Sequence, residues 1–350
     1  MAAALEPPRI WILWRRRKGD LDQMLALVKA LGWPHVIKRL DFAPPDIPIL
    51  APLLLKGSSD DISPPWPDAV ICAEALPSMI ARRLRKQSGG RIRSIALARP
   101  AGSPDAFDLV ITTAQYRLPA AANILELGMP LGDPSSLVVP APESNSPRVA
   151  VAVGGSSFPD RLDADAAREM ALALMSYGNR HGMTLDIITS PRTGSDAAQA
   201  LKSAIAAPHV FHEFKPGAEN PYRRLLAAAS EIVVTSDSVS MVADALATGK
   251  PVSVYRLPQS RNLKWRITEW LYANAVLHRN AWFSPVRWDF DAGMFEAAAD
   301  RHLLFDRLSR DGRLSWFGEP LATPRPGDAS ADMALAVRRV KALMGIGLEV

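Results

Sequence analysis

What most limits the fold of this chain is a repeated alternation of short apolar runs with segments of helical period. In the second half, residues 149–153 (VAVAV), 185–189 (LDIIT), 231–235 (EIVVT) and 252–255 (VSVY) are strand-sized apolar runs. Between them lie a helix opened by Asp163 and reaching about His181, a short helix, a strand at 209–211, a helix from Pro221 and another from Ser238. Short runs separated by helices predict parallel strands, because a parallel pair needs a long crossover and a helix supplies it compactly.

The first half repeats the scheme. Residues 10–13, 69–73, 92–97 and 109–112 read as strands. Leu21, Met24, Leu25, Val28 and Leu31 recur at helical spacing before Gly32, and a second helix covers 76–87 and stops at Gly89-Gly90. Residues 42–67, rich in proline and serine, read as an irregular excursion, and 130–147, with five prolines, as the interdomain linker. Beyond Pro258 the pattern is less regular and rich in Trp and Arg. A chain of 350 residues is long for one hydrophobic core. The expected class is α/β with two Rossmann-like domains, 1–140 and 147–330. Residues 331–350 then carry a C-terminal helix that packs back on the N-terminal domain.

Composition narrows the partners. Hydrophobic residues make up 48% and charged residues 22% of the chain, the balance of a globular protein. The net charge is +5, with Arg82, Arg83, Arg85, Lys86, Arg91 and Arg93 clustered. No recognition motif accompanies them, so nucleic acid is not an expected partner, and a solvated helix face explains them equally well. Cys72 is the one cysteine and lies in an apolar run, which excludes an internal disulfide and fits a reducing compartment. No run approaches the roughly 18–20 apolar residues of a membrane span. The apolar run 10–14 precedes rather than follows the basic run 15–18, unlike a signal peptide. A cytoplasmic protein is expected, with peripheral attachment to the inner face of the membrane left open.

Ligands of open parallel sheets bind beyond the carboxyl ends of the strands. Three such loops in the second domain are rich in glycine and hydroxyl residues. Gly154, Gly155 and Ser156 follow the first strand, where glycines let backbone amides approach an anion. Ser190, Arg192 and Thr193 follow the second, offering hydroxyls and a guanidinium fork to a diphosphate. Thr235, Asp237, Ser238, Ser240 and Met241 join the third strand to a helix whose N-terminal amides favour phosphate. Asp244, farther along that helix, is placed to accept from sugar hydroxyls. The alternatives remain an ordinary turn at Gly154-Gly155, a solvated Arg192 and a plain helix cap at Asp237 or Ser238. The chain has no Walker pattern, no complete Gly-x-Gly-x-x-Gly and no His/Cys metal spacing, so no metal and no cofactor beyond a nucleotide substrate is expected. His209 and His212 read as structural.

The string Asn220-Pro221-Tyr222 followed by TSDSVSMVADALATGKPVSVY resembles the hallmark of the mitochondrial-fission "elongated mitochondria" family, which has many bacterial members. Lys18-Gly19-Asp20 with Gln23, Gly32-Trp33-Pro34 and FDLVITTAQYRLP (107–119) agree, and the resemblance covers about 10–258. It implies an architecture like the GT-B glycosyltransferases: two Rossmann-like domains facing a cleft, with the nucleotide sugar held mainly by the second. It also implies that the helix after the small-residue loop holds the diphosphate, and that Asp244 takes the ribose-binding place where many relatives carry Glu. Plant members are associated with recruiting a dynamin-related protein, a role that no residue here independently supports.

These readings converge on a metal-independent GT-B-type glycosyltransferase using a nucleotide diphosphate sugar. Asp20 is the candidate base toward the acceptor, with capping of a helix that begins at Leu21 as the alternative. Lys18, Gly19 and Gln23 are placed on the acceptor side. The stretch 261–289 interleaves Trp265, Trp270, Trp282 and Trp288 with Arg261, Lys264, Arg266, Arg279 and Arg287. It suits a lipid-linked acceptor or a membrane surface, although core packing of the aromatics against the first domain is the favoured reading. A non-catalytic binding or recruitment protein and a nucleotide-sugar epimerase are the other readings. The sequence leaves the nucleobase, sugar, acceptor and oligomeric state open.

Overall fold

The computed structural model describes residues 6–44, 47–132, 147–260, 262–291, 299–322 and 328–346. The chain divides into two compact units. Unit 1 comprises Met1–Asp133, Leu263–Ala299 and Ser330–Val350, and unit 2 comprises Pro134–Asn262 and Asp300–Ala329. Most of the expected linker, 133–146, lies outside the described residues.

Unit 1 opens with β1 (Ile10–Trp14), α1 (Lys18–Leu31), β2 (His35–Arg39), α2 (Ala51–Leu54), β3 (Ala69–Cys72), α3 (Ala75–Gln87), β4 (Arg93–Leu97), β5 (Leu109–Thr113) and β6 (Ile124–Leu127). The six strands form one parallel sheet in the order β2-β1-β3-β4-β5-β6. Its central strands are largely apolar because both faces are covered. On β1, Ile10 and Ile12 meet Met24, Leu27 and Val28 of α1, whereas Trp11 and Leu13 turn to Ile80 and Leu84 of α3. Each such side chain, fully buried, contributes about 1.5–3 kcal/mol. Cys72 is buried on β3, and burial pushes its thiol up to about 12, as an inert core thiol requires.

The edge strands β2 and β6 escaped the sequence reading. β2 is mostly exposed, with Lys38 lying over the Trp11 ring at 4.6 Å, so its residues lack a continuous apolar run. Charge on an edge is how sheets discourage further pairing. The excursion 42–67 is irregular apart from a 3-10 turn at Pro48–Leu50, α2 and an isolated bridge between Phe42 and Leu55.

Unit 2 contains β7 (Arg148–Val153), α4 (Ala164–His181), β8 (Thr184–Thr189), α5 (Ser195–Ala204), β9 (Val210–His212), α6 (Tyr222–Ala228), β10 (Glu231–Thr235), α7 (Val239–Ala247) and β11 (Val252–Tyr255). Asp163 caps α4 as expected, accepting from the Ala166 amide at 3.0 Å, and Gly182 closes it at φ 64°. The chain then returns to unit 1 for α8 (Leu263–Tyr272) and α9 (Ser284–Asp291), supplies α10 (Arg301–Arg310) and β12 (Ser315–Trp316) to unit 2, and ends with α11 (Asp328–Leu343) in unit 1. The second sheet is also parallel, in the order β12-β11-β10-β7-β8-β9. Ala336 and Val340 of α11 are buried in the same core cluster as Ile10 and Ile12, and Asp332 accepts from the Gly128 and Met129 amides at 3.2 and 2.9 Å.

His209 and His212 do structural work. His209 accepts from the Leu185 amide at 3.2 Å, and His212 meets Asp186 at 3.2 Å. Burial lowers the basicity of His209.

Candidate functional site

The register of the second sheet sets Val153 level with Thr189 on β8, and β10 lies on the other side of β7. The loops after β10, β7 and β8 therefore leave the same edge side by side. Their small residues are bonded largely to one another. The Gly154 amide donates to Thr235 Oγ1 at 2.8 Å, and the Gly155 amide to Asp237 Oδ2 at 3.0 Å. Thr235 Oγ1 in turn donates to Asp237 Oδ1 at 2.6 Å, while the Arg192 guanidinium pairs with Asp237 at 2.9 Å. Ser190 and Thr193 both donate to the Gly154 carbonyl, and Ser156 exchanges hydrogen bonds with the Leu162 backbone.

Asp237 is thus the hub of the three loops rather than the cap of α7. It is buried, which raises its carboxyl above the usual range despite the opposing bonds from Thr235 and Gly155 and the Arg192 and Arg301 charges. The glycines are needed for close approach, but to the protein itself. A Cβ on Gly154 would collide with the Asp237 carboxylate, and one on Gly155 with the Arg192 carbonyl.

What this network leaves open is the start of α7. Ser238 occupies its N-cap position without a side-chain capping bond. Among the described residues, the first-turn amides of Val239, Ser240 and Met241 have no hydrogen-bond partner. Such amides are the orphans of every helix start and carry the positive end of its dipole. The Ser238 and Ser240 hydroxyls stand 3.3 Å apart beside them, Ser238 buried and Ser240 exposed. In the second turn, half-buried Asp244 accepts from the Tyr222 hydroxyl at 3.3 Å. Burial, reinforced by Asp244, raises the Tyr222 phenol. The Asn220-Pro221-Tyr222 string and α7, distant in sequence, therefore meet through this contact.

In unit 1, α1 begins at Lys18, with Arg17 at its N-cap. Asp20 lies inside the first turn and is not the cap of a helix starting at Leu21. Lys18 and Gly19 are exposed, whereas Asp20 and Gln23 are half-buried. Burial lifts the Asp20 carboxyl to about 6, Arg17 opposes the rise, and Glu74 adds to it.

Glu74 was not found from the sequence. It follows β3 at φ 65, ψ 155, a region otherwise reserved for glycine, where each residue stores about 1–3 kcal/mol of strain. Its side chain is nearly buried, accepting from the Arg16 amide at 3.4 Å and lying 3.9 Å from Arg17 Nε. Ala98, directly after β4, also has a positive φ of 66, and Arg117, which closes the 3-10 turn following β5, has one of 50. A carboxylate placed directly between an apolar run and a helix was the available signal.

A second missed group surrounds Asp160 in unit 2. Its buried carboxylate accepts from Arg301 at 2.8 Å and Gln259 at 3.1 Å, and His302 lies at 3.5 Å. Burial works to raise Asp160, but these bonds and the Arg301 charge hold it below the usual carboxylate range. Beside it a cavity of ≈ 440 Å³ is lined by Glu169, Tyr255, Arg256, Gln259 and His302. These residues come from segments too far apart for any spacing rule to associate. Among the described residues, no three His, Cys, Asp or Glu are grouped to hold a metal, and no helix is long and apolar enough to cross a membrane.

Two six-stranded parallel α/β units define a protein of the GT-B-like fold class. In fold it is similar to UDP-GlcNAc 2-epimerase from Methanocaldococcus jannaschii, with TM-score 0.50 and 10% identity over 96% of this chain and 99% of that one. The chain belongs to the mitochondrial fission ELM1 family, whose model matches residues 18–281. It is 29% identical over 123 residues to mitochondrial fission protein ELM1 of Arabidopsis thaliana, an alignment covering 35% of this chain and 28% of that protein. To an uncharacterized protein of Rickettsia prowazekii it is 28% identical over 120 residues, 34% of each chain. The matched stretch thus spans about a third of these curated relatives.

Proposed function

We propose that the chain binds a nucleotide diphosphate sugar at the start of α7 and transfers the sugar to an acceptor without a metal ion. The observation that carries this reading is the set of unpartnered amides at Val239, Ser240 and Met241, flanked by the Ser238 and Ser240 hydroxyls. In the reaction, the acceptor oxygen bonds to the anomeric carbon as the bond to the diphosphate breaks. The charge released on the diphosphate is taken up by the amides and hydroxyls, which need no rearrangement to do so. The acceptor proton passes to Asp20, whose raised carboxyl still ionises below neutrality. Asp244, held by Tyr222, is assigned to the ribose hydroxyls.

Calorimetric titration with UDP, GDP and their sugars tests the binding step. Ser238→Ala should weaken a measured affinity about threefold to tenfold, the worth of one hydrogen bond. No heat with any of these nucleotides would sink the proposal. A non-catalytic binding protein is the second reading, favoured by one observation: Asp237 already occupies the Gly155 amide and the Arg192 guanidinium. Nucleotide binding without sugar transfer to any acceptor fraction would select it.

A further inference from the structure

α8 presents its apolar side to water. With about 3.6 residues per turn, Trp265, Thr268, Glu269 and Tyr272 share one face, and Leu263, Arg266, Ile267 and Trp270 share the opposite one. The first face is held to the body of unit 1. Tyr272 is buried, and its hydroxyl donates to the Arg117 carbonyl at 3.0 Å. The Arg99 and Arg117 guanidinium groups lie over its ring at 4.7 and 5.3 Å, and Glu269 is ion-paired with Arg117. The face left to solvent carries the apolar residues: Leu263 is 69% exposed, Ile267 49% and Trp270 57%. Phe283 packs edge-on against Trp270 with ring centroids 5.2 Å apart, so the turn at 280–283 lies beside this face. Trp282 in that turn is 91% exposed.

This arrangement departs from the usual surface helix, whose solvent face is polar. Core packing accounts for Tyr272, but not for Trp270 or Trp282. The charges are equally one-sided. Arg266 and Arg279 are exposed, and the one acidic residue in 262–284, Glu269, is turned inward. Tryptophan with arginine is the pairing that suits a membrane–water boundary, where the indole meets the acyl edge and the guanidinium meets phosphate. A symmetric contact with a second copy would instead bring two patches of the same positive charge together. The helix is too short to cross a bilayer and would lie in its plane.

We propose that the outer face of α8 and the 280–283 turn dock on an anionic phospholipid surface. Leu263, Ile267, Trp270 and Trp282 enter the headgroup–acyl boundary, and Arg266 and Arg279 meet the lipid phosphates. This goes beyond the transferase reading and does not depend on it, since docking is measured with no nucleotide present.

The test is sedimentation of the full chain with vesicles of phosphatidylcholine alone or mixed with phosphatidylglycerol. Binding is expected to the mixed vesicles and to fall as salt is raised. Trp270→Ser with Trp282→Ser should weaken it about tenfold or more, and Arg266→Glu with Arg279→Glu should remove it. Leu263→Ser with Ile267→Ser gives an independent check on another part of the face, and the melting temperature of each variant reports its folding. Failure to bind the mixed vesicles, equal binding to phosphatidylcholine alone, or undiminished binding by folded variants would overturn the proposal. A solution dimer that the tryptophan variant dissociates would also overturn it, by assigning the face to a second copy.

Discussion

Asp20 shows how one side chain can be informative for reactivity and stability together. Its folded carboxyl ionises near pH 6, against an ordinary value of 3.8. A raised acid makes the folded state less stable as it ionises, so stability is lost as the pH climbs from about 4 through 6. Asp20→Asn should therefore melt above the parent at pH 8, by about 1–3 kcal/mol in unfolding free energy, and match it at pH 4. In the transferase reading the same variant keeps nucleotide affinity and loses transfer, and the parent's rate rises with pH through about 6. A rate independent of pH between 5 and 7, or transfer retained by the variant, would remove Asp20 as the base. Glu74 adds to this shift from a strained position; its place between an apolar run and a helix was the one signal in the sequence, since no residue pattern announces a positive φ at a glutamate.

Among the elements, the three loops at the edge of the second sheet form one bonded network, in which a Cβ added at Gly155 would collide with the Arg192 carbonyl. Gly155→Ala must displace backbone, which should lower the unfolding free energy by about 2–4 kcal/mol in urea titrations. Gly57→Ala is the control, for nothing lies within 4 Å of its added carbon, and its effect should stay within about 0.5 kcal/mol. An equal effect of the two would refute the steric account. The sequence brought these loops together correctly, since strand alternation fixes which loops share a sheet edge. It assigned the Gly154 and Gly155 amides and Arg192 to a phosphate, whereas the structure engages them with Thr235 and Asp237. A glycine that approaches a ligand and one that approaches a neighbouring loop look alike in sequence.

In the whole molecule, the chain builds unit 1 from three separate stretches. Residues 263–299, expected in the second domain by their place in the sequence, group with unit 1, where Tyr272 is held by Arg99 and Arg117. Arg261 and the side chains of Lys264 and Trp288 lie outside the described residues. α11 completes the core under β1 with Ala336 and Val340. Removing residues 328–350 should cost unit 1 about 3 kcal/mol or more, the scale of losing buried apolar contacts. Amide exchange should accelerate in β1 and β3 while β7 and β10 stay protected. Equal acceleration in both sheets would show that the units do not unfold separately.

The sequence by itself determined the two parallel sheets, their central elements in order along the chain, and the edge where the glycine and hydroxyl loops collect. Those follow from apolar period and strand length, which are local properties of the chain. Only the tertiary structure decided that Asp237 holds three loops together, that Glu74 sits strained beside Asp20's helix, and that α8 turns its tryptophan outward. Each depends on contacts between residues far apart in sequence, and burial of a charge or exposure of an indole is set by what packs around it.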